Sequence, residues 1–363
     1  MTDLRAPPDP ELLARLTAAL AGRYRLERQL GAGGMATVYL AEDVQHHRHV
    51  AIKVLHEELA HSLAGTRFLR EIEIASQLQH PNILTLLDSG EARGFLYYVM
   101  PYVAGPSLRQ RLTREGELPV SDTVRLLVEV VDALAHAHAH GVVHRDIKPD
   151  NVMLSGRHAL VTDFGVAKAI HEAARPSTMT SAGIALGTPT YMSPEQASAD
   201  PDIDHRTDLY SVGVMAYELL TGRPPFADAK AQQVLAAHVT REPEPLTRHR
   251  PGLPAALEQV VMRCLAKRPA DRWQSAEEML AQLEPLAVPS GALTPTQTAS
   301  VRFMPSGRRR TTAMLVAGLG VVLAAALVLT PRRPDALVIG HATQVTSDTG
   351  LEVQPALSPD GRH

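Results

Sequence analysis

His144-Arg145-Asp146-Ile147-Lys148-Pro149-Asp150-Asn151, followed after a short interval by Asp163-Phe164-Gly165, is the stretch on which the reading of this chain turns. It sets a carboxylate, an ammonium, an amide and a second carboxylate at fixed offsets. Transfer of a γ-phosphoryl group from a magnesium nucleotide needs that set, because it asks for positioned metal ions, neutralised phosphate charge and an oriented hydroxyl. Asp146 can accept the hydroxyl proton and Lys148 can steady the moving phosphate. Asn151 and Asp163 offer the oxygen ligands that Mg²⁺ prefers.

The surrounding composition admits such a domain. The chain has 363 residues, 45% hydrophobic and 21% charged, enough for one large or two ordinary cores with attachments. A net charge of −3 and a pI near 6.6 give no support for a nucleic-acid partner. The single cysteine, Cys264, excludes an intramolecular disulfide framework and suits a reducing compartment. Met1-Thr2-Asp3-Leu4-Arg5 with Pro7 and Pro8 lacks the apolar run of a cleaved signal peptide. With these features the main body is expected in the cytoplasm.

Outward from the motif, the pattern changes period. Residues 1–23 form an N-terminal extension with a short helix over 11–20. Strand signals follow at 24–30, 37–42, 49–55, 84–89 and 95–101, interrupted by a helix near 67–79. Beyond them the spacing turns helical. Val124, Leu127, Val128, Val131 and Leu134 share one face of a helix over 121–140, with Ser121 or Asp122 available as cap. Further helices are expected at 207–221, 254–265 and 275–286. The expectation is an α+β fold with a small β-rich lobe before a larger helical one.

Residues 284–310 are rich in Pro, Gly, Ser and Thr and read as a juxtamembrane linker ending in Arg308-Arg309-Arg310. Residues 313–329 carry no charge, and a helix over 311–330 would extend roughly 30 Å, about one hydrocarbon thickness. A buried core helix is the alternative, but the segment is apolar all round and lies between basic clusters. A transmembrane helix with its N-terminal side inside is therefore expected. Residues 331–363 would form an extracytoplasmic tail too short to fold alone. Gln344-Val345-Thr346-Ser347-Asp348 and Ser358-Pro359-Asp360-Gly361 in it resemble the start of a TolB-type β-propeller blade, as in a piece of a longer receptor.

Leu30-Gly31-Ala32-Gly33-Gly34-Met35-Ala36-Thr37-Val38 lies between two expected strands, where glycines let backbone amides approach phosphate oxygens closely. Val50-Ala51-Ile52-Lys53 follows and brings an ammonium within reach of the same phosphates. With these motifs together, residues 24–283 resemble a eukaryotic-type (Hanks-type) protein kinase of the bacterial receptor class. Ala36 departs from the third glycine of that family's loop, which puts only the fine geometry there in question.

The resemblance implies ATP and Mg²⁺ as cofactors and a bilobal kinase fold. It implies that Lys53 pairs with a helix glutamate, Glu71. Glu73 is the competing carboxylate but points to a different helix face. Val38 and Ala51 would cover the adenine, with Met153 beneath and Met100 at the gatekeeper position. Pro101 would supply a hinge carbonyl and Val103 both an amide and a carbonyl. Lys148 together with Gly187-Thr188-Pro189-Thr190-Tyr191-Met192-Ser193-Pro194-Glu195 resembles the Ser/Thr-specific class, with Thr188 bonding Asp146. Glu195 would form a buried ion pair with Arg272, and Asp208 would brace the catalytic loop. Arg145, just before Asp146, implies control by phosphorylation of the loop that follows. Thr180 and Thr178 come first there, beside Ser177 and Ser181; a merely polar loop is the alternative.

Other readings weigh less. His136 and His140 have a metal-capable spacing but no third ligand set, while His138 falls where the family has a structural histidine. His46-His47-Arg48-His49 reads as a polar loop. A non-catalytic scaffold would have lost Lys53, Asp146, Asn151 or Asp163, and all are present. A small-molecule kinase would not carry the peptide-docking segment 188–195. The resemblance therefore implies a membrane-anchored, non-specific serine/threonine protein kinase acting on protein Ser/Thr hydroxyls. It would be autophosphorylated on its activation loop, with Gly320 and Ala324 allowing a helix contact in a homodimer.

Overall fold

A computed structural model describes residues 10–57, 65–166, 189–228 and 230–287 of the chain. The first helix, α1 (Pro10–Leu20), buries Leu16 and Leu20 against the outer face of an antiparallel sheet. That sheet comprises β1 (Tyr24–Ala32), β2 (Ala36–Asp43), β3 (Arg48–Leu55), β4 (Asp88–Ala92) and β5 (Phe95–Pro101), in the order β1-β2-β3-β5-β4. Because side chains alternate across a strand, β3 and β5 feed two cores at once. Val50, Ile52, Val54, Tyr97 and Val99 join α1, while Ala51, Leu55, Leu96, Tyr98 and Met100 face the other side. On that side α2 (Gly65–Ser76) packs Phe68 and Ile72 into the sheet.

The fourth strand begins at Asp88, not at residue 84. The apolar run Ile83-Leu84-Thr85-Leu86-Leu87 invites a strand assignment, yet it serves as a crossing between lobes. Leu84 N–H bonds the Val161 carbonyl at 2.9 Å, and Leu87 N–H bonds the Val99 carbonyl at 2.8 Å. Leu86 packs against the clusters of both lobes, Leu84 against the small-lobe cluster and Leu87 against the outer cluster with α1, so hydrophobicity there records partial burial rather than sheet membership.

The larger lobe is built on α4 (Val120–Ala139) and α6 (Arg206–Thr221), both deeply buried. Around them lie α3 (Leu108–Glu115), the hairpin β6 (Val152–Ser155) and β7 (His158–Val161), the short α5 (Pro194–Ala197), α7 (Ala231–Thr240), α8 (Ala255–Cys264) and α9 (Ala276–Ala287). Helix α4 starts after Pro119 without a side-chain cap, which corrects the expectation of Ser121 or Asp122. Asp122 is drawn instead to Arg111 of α3. Sequence periodicity missed α3 and α7. α3 is strongly polar, with only Leu108 and Leu112 fully buried, and it is held by a Ser107–Gln110 capping box.

The small sheet lobe and larger helical lobe agree with the α+β expectation. Among the described residues no helix is long and apolar enough to cross a membrane. The expected span 311–330, the linker 284–310 beyond residue 287 and the tail 331–363 lie outside the described residues, as do Thr178, Thr180 and Thr188.

Candidate active site

The loop between α4 and β6 carries the opening motif, and one carboxylate fixes its backbone. Asp208 of α6, fully buried, accepts the N–H of His144 at 2.8 Å and of Arg145 at 2.7 Å, and bonds His138 Nε2 at 2.8 Å. Burial would raise the Asp208 carboxyl, but the hydrogen bond and charge of His138 hold it below the usual carboxylate range. His138 is thus the structural histidine expected. The brace tolerates a left-handed Arg145, φ 67°, a conformation that a non-glycine residue keeps only when its surroundings enforce it. Arg145 also has a buried Nε with no hydrogen-bond partner among the described residues.

From that braced loop, Asp146 points into a small network. Lys148 Nζ donates to Asp146 Oδ2 at 2.7 Å. Asn151 Nδ2 donates to the Asp146 carbonyl at 2.8 Å and to its Oδ2 at 3.0 Å. This use of the Asn151 nitrogen leaves its amide oxygen for a cation. The His144 ring takes the Asp146 N–H on Nδ1 at 3.2 Å and donates from Nε2 to the Thr162 carbonyl at 2.7 Å. The ring therefore couples the loop to β7 and the residue before Asp163.

Across the seam, Asp163 meets Lys53. The ammonium lies 2.7 Å from Asp163 Oδ2, and Tyr98 donates its hydroxyl to Oδ1 at 2.5 Å. Burial alone would raise the Asp163 carboxyl, but the Lys53 charge overrides it and keeps the group ionised. Lys53, expected to pair with Glu71, thus has Asp163 as its described ion-pair partner. Lys53 and Tyr98 are cross-strand neighbours on β3 and β5, so both reach one carboxylate. Glu71 stands half-buried on α2, and its carbonyl abuts Gly165. A Cβ on Gly165 would come within 3.1 Å of that oxygen and of Ala75, and φ is +78°, so only glycine fits.

Six of the residues expected around the nucleotide share one hydrophobic cluster. Leu30, Met35 and Val38 from the first hairpin pack on one cluster with Ala36, Ala51 and Met100. Ala51 faces Met100 across the sheet, and Val38 faces Lys53. The departure at Ala36 is explained, since its methyl is buried in that cluster. Thr37 bonds His56 at 3.3 Å from the same hairpin. Gly31 and Gly34 border open space, where an added Cβ would meet nothing within 4 Å. Gly33 donates its N–H to the Ala36 carbonyl at 2.8 Å and closes the turn after Ala32. Pro101 ends β5, Val103 follows it half-buried, and Met153 on β6 bridges Ser107.

Asn151 and Asp163 supply hard oxygen donors, the chemistry a Mg²⁺ ion takes. In the larger lobe, Arg272 clasps Glu195 with two bonds of 2.7 and 2.8 Å while fully buried. Gln196 then donates to the Arg145 carbonyl at 2.7 Å, which ties the segment 189–196 to the catalytic loop. Sequence reasoning missed Tyr98, His238 and Arg109. Tyr98 became visible only with the register of β3 and β5. His238 links the Tyr210 hydroxyl, at 2.8 Å, to the Thr190 carbonyl, at 3.0 Å. No local motif marks any of the three.

The protein kinase domain family matches residues 24–283. The chain is 42% identical over 290 residues to the serine/threonine-protein kinase pkn3 of Myxococcus xanthus, covering 77% of this chain and 52% of that one. It is 43% identical over 270 residues to the serine/threonine-protein kinase PknB of Mycobacterium tuberculosis, covering 73% and 43%. For the serine/threonine-protein kinase PrkC of Bacillus subtilis the figures are 39% over 267 residues, 73% and 40%. The chain spans about half the length, or less, of these curated relatives.

Proposed function

The chain belongs to the protein kinase domain family, and from that premise we propose that it is an ATP-dependent serine/threonine protein kinase. The observation that carries the reading is the bonded set Asp146, Lys148 and Asn151 on a loop braced by Asp208, beside the Lys53–Asp163 pair. The acceptor hydroxyl gives its proton to Asp146 as its oxygen bonds the γ-phosphorus. The bond from that phosphorus to the bridging oxygen breaks, and ADP leaves with the electron pair. Lys148, already on Asp146, neutralises charge on the transferring group. Lys53 exchanges Asp163 for nucleotide phosphate oxygens. Mg²⁺, held by Asn151 and Asp163, would supply charge neutralisation between the phosphates. The open space over Gly31 and Gly34 supports backbone contact with those phosphates.

The finer reading is a membrane-anchored receptor with a cytoplasmic kinase domain, a linker at 284–310, a span at 311–330 and an outer tail at 331–363. Autophosphorylation at Thr180 or Thr178 would bring an anion toward Arg145, whose buried Nε lacks a partner among the described residues; Thr188 would bond Asp146. Incubation of the full chain with labelled ATP, Mg²⁺ and a Thr-containing peptide tests the enzyme, with Asp146→Asn as control. Labelling no greater than that control overturns it. Phosphosite mapping and membrane fractionation test the finer parts.

A further inference from the structure

Tyr98 of β5 is fully buried, yet it carries a hydroxyl into an apolar cluster with Leu55, Phe68, Ile72 and Leu96. Among such side chains a hydroxyl without a partner costs free energy that an apolar residue of similar size avoids. The partner here is Asp163, whose Oδ1 accepts the phenol at 2.5 Å. Burial first, and then the Asp163 charge, raise the phenol well above its usual pKa, so it remains a donor. The ring is backed by Phe68 of α2, with centroids 6.5 Å apart.

Asp163 therefore has two donors of different kinds. Lys53 reaches Oδ2 at 2.7 Å on a long flexible stem, and its side chain is 21% exposed. Tyr98 reaches Oδ1 from the interior of a strand, on a short rigid side chain. Lys53 can leave for a phosphate oxygen; Tyr98 stays where the sheet holds it. The backbone around Asp163 is already fixed. Asp163 is left-handed, with φ 68°, and the Thr162 N–H before it bonds the Asn151 carbonyl at 2.9 Å. What those constraints leave open is the direction of the Asp163 carboxylate, and the Tyr98 hydroxyl sets it.

Resting on the kinase reading above, we propose that Tyr98 is a positioning residue for the reaction. Its hydroxyl anchors Asp163 Oδ1 and so keeps Oδ2 for Mg²⁺ once Lys53 turns to the nucleotide phosphates. A carboxylate that ligates a metal is itself oriented by hydrogen-bond donors, and loss of such a donor typically lowers metal affinity about 10–100-fold. Mg²⁺ demands near-ideal octahedral geometry, so a carboxylate free to turn is a poorer ligand for it. Phe68 extends the effect to α2, because loosening its ring loosens the phenol it backs. A Tyr98 that only filled the core would change stability and leave the Mg²⁺ requirement unchanged.

The test compares the full chain with Tyr98→Phe, which removes only the hydroxyl, and with Phe68→Leu, which keeps the hydroxyl and loosens its ring. Calorimetry reads ADP affinity with and without Mg²⁺. Rate assays read the free Mg²⁺ that gives half-maximal labelling of a Thr peptide at saturating ATP. Tyr98→Phe should bind metal-free ADP as the native chain does. The gain in ADP affinity that Mg²⁺ brings should fall, and the Mg²⁺ midpoint should rise, by at least about tenfold, with KM for the peptide unchanged. Phe68→Leu should move the midpoint the same way by a smaller factor, and it carries the test if Tyr98→Phe does not fold. A native midpoint in a folded, active variant overturns the inference alone. So does tighter Mg²⁺ binding, which would make the hydroxyl a competitor of the metal. A native chain that shows neither Mg²⁺-dependent ADP binding nor labelling above the Asp146→Asn control overturns the kinase reading, and this inference with it.

Discussion

The buried carboxylate of Asp208 receives the backbone N–H of Arg145 at 2.7 Å, across 63 residues of sequence. This bond and its neighbour to His144 hold the catalytic loop to α6, so the loop borrows the rigidity of the most buried helix in the larger lobe. Asp208→Asn should lower stability by about 3–5 kcal/mol, the range for breaking a buried charged network, and lower kcat with it. The Asp208 carboxyl lies below its ordinary value, so its contribution is present above about pH 4 and is lost as pH falls through the lowered value. Urea titrations from pH 2.5 to 7 should show a flatter acid limb in the variant. An unchanged limb would count against the brace.

Lys53 and Asp163 join the two lobes, which separates rate from stability. Lys53→Met should lower kcat/KM by at least about a hundredfold. It should also lower the Tm, since Asp163 is left buried without its cation. Adding Asp163→Asn should recover much of the Tm and none of the rate. Equal recovery of both would contradict the assignment.

Glu195 and Arg272 form the buried clasp beneath the segment 189–196. Either residue replaced by alanine should cost about 3–5 kcal/mol, and the double variant should cost less than the sum of the singles. Additive losses in denaturant titration would show that the two do not act together.

His238 is neutral in the fold. Burial, aided by the Lys267 charge, lowers its pKa from 6.5 to about 4. The unfolded chain therefore binds the proton more readily, and stability supplied by His238 is present above about pH 6.5 and lost as pH falls toward 4. His238→Asn should flatten the stability slope across that window, and by loosening Thr190 should raise KM for peptide more than KM for ATP. A variant with the native slope would refute this assignment.

Gly105 lies against the β6 strand so closely that a Cβ would sit 1.7 Å from the Leu154 carbonyl oxygen. Gly105→Ala should destabilise the protein by about 1–3 kcal/mol, as overpacking does. It should raise KM for ATP, because Pro101 and Val103 lie just upstream. Unchanged Tm and KM together would argue that the segment yields freely.

How much of this was legible depends on whether the cause was local. The set Asp146, Lys148, Asn151 and Asp163 could be read directly, because six residues of chain hold the first three and the chemistry demands those types. Strands β1, β2, β3 and β5 and helices α1, α4, α6, α8 and α9 followed from alternation or helical period. Residues 84–87 misled because burial between lobes and burial in a sheet look alike in composition. The polar α3 escaped because few of its residues are buried, and its stabilising contacts include ion pairs from Arg109 to the distant Asp150 and Glu218.

The sequence by itself determined the family, the candidate reacting groups and the lobe order, since motif spacing and side-chain period are properties of the covalent chain. Tertiary structure alone decided which charges meet. Lys53 finds Asp163 through the β3–β5 register, Asp208 finds Arg145 through the α6 packing, and Arg109 finds Glu218 and Asp150 through the docking of α3. Electrostatic energy depends on separation in space and on burial, and neither is fixed by separation along the chain.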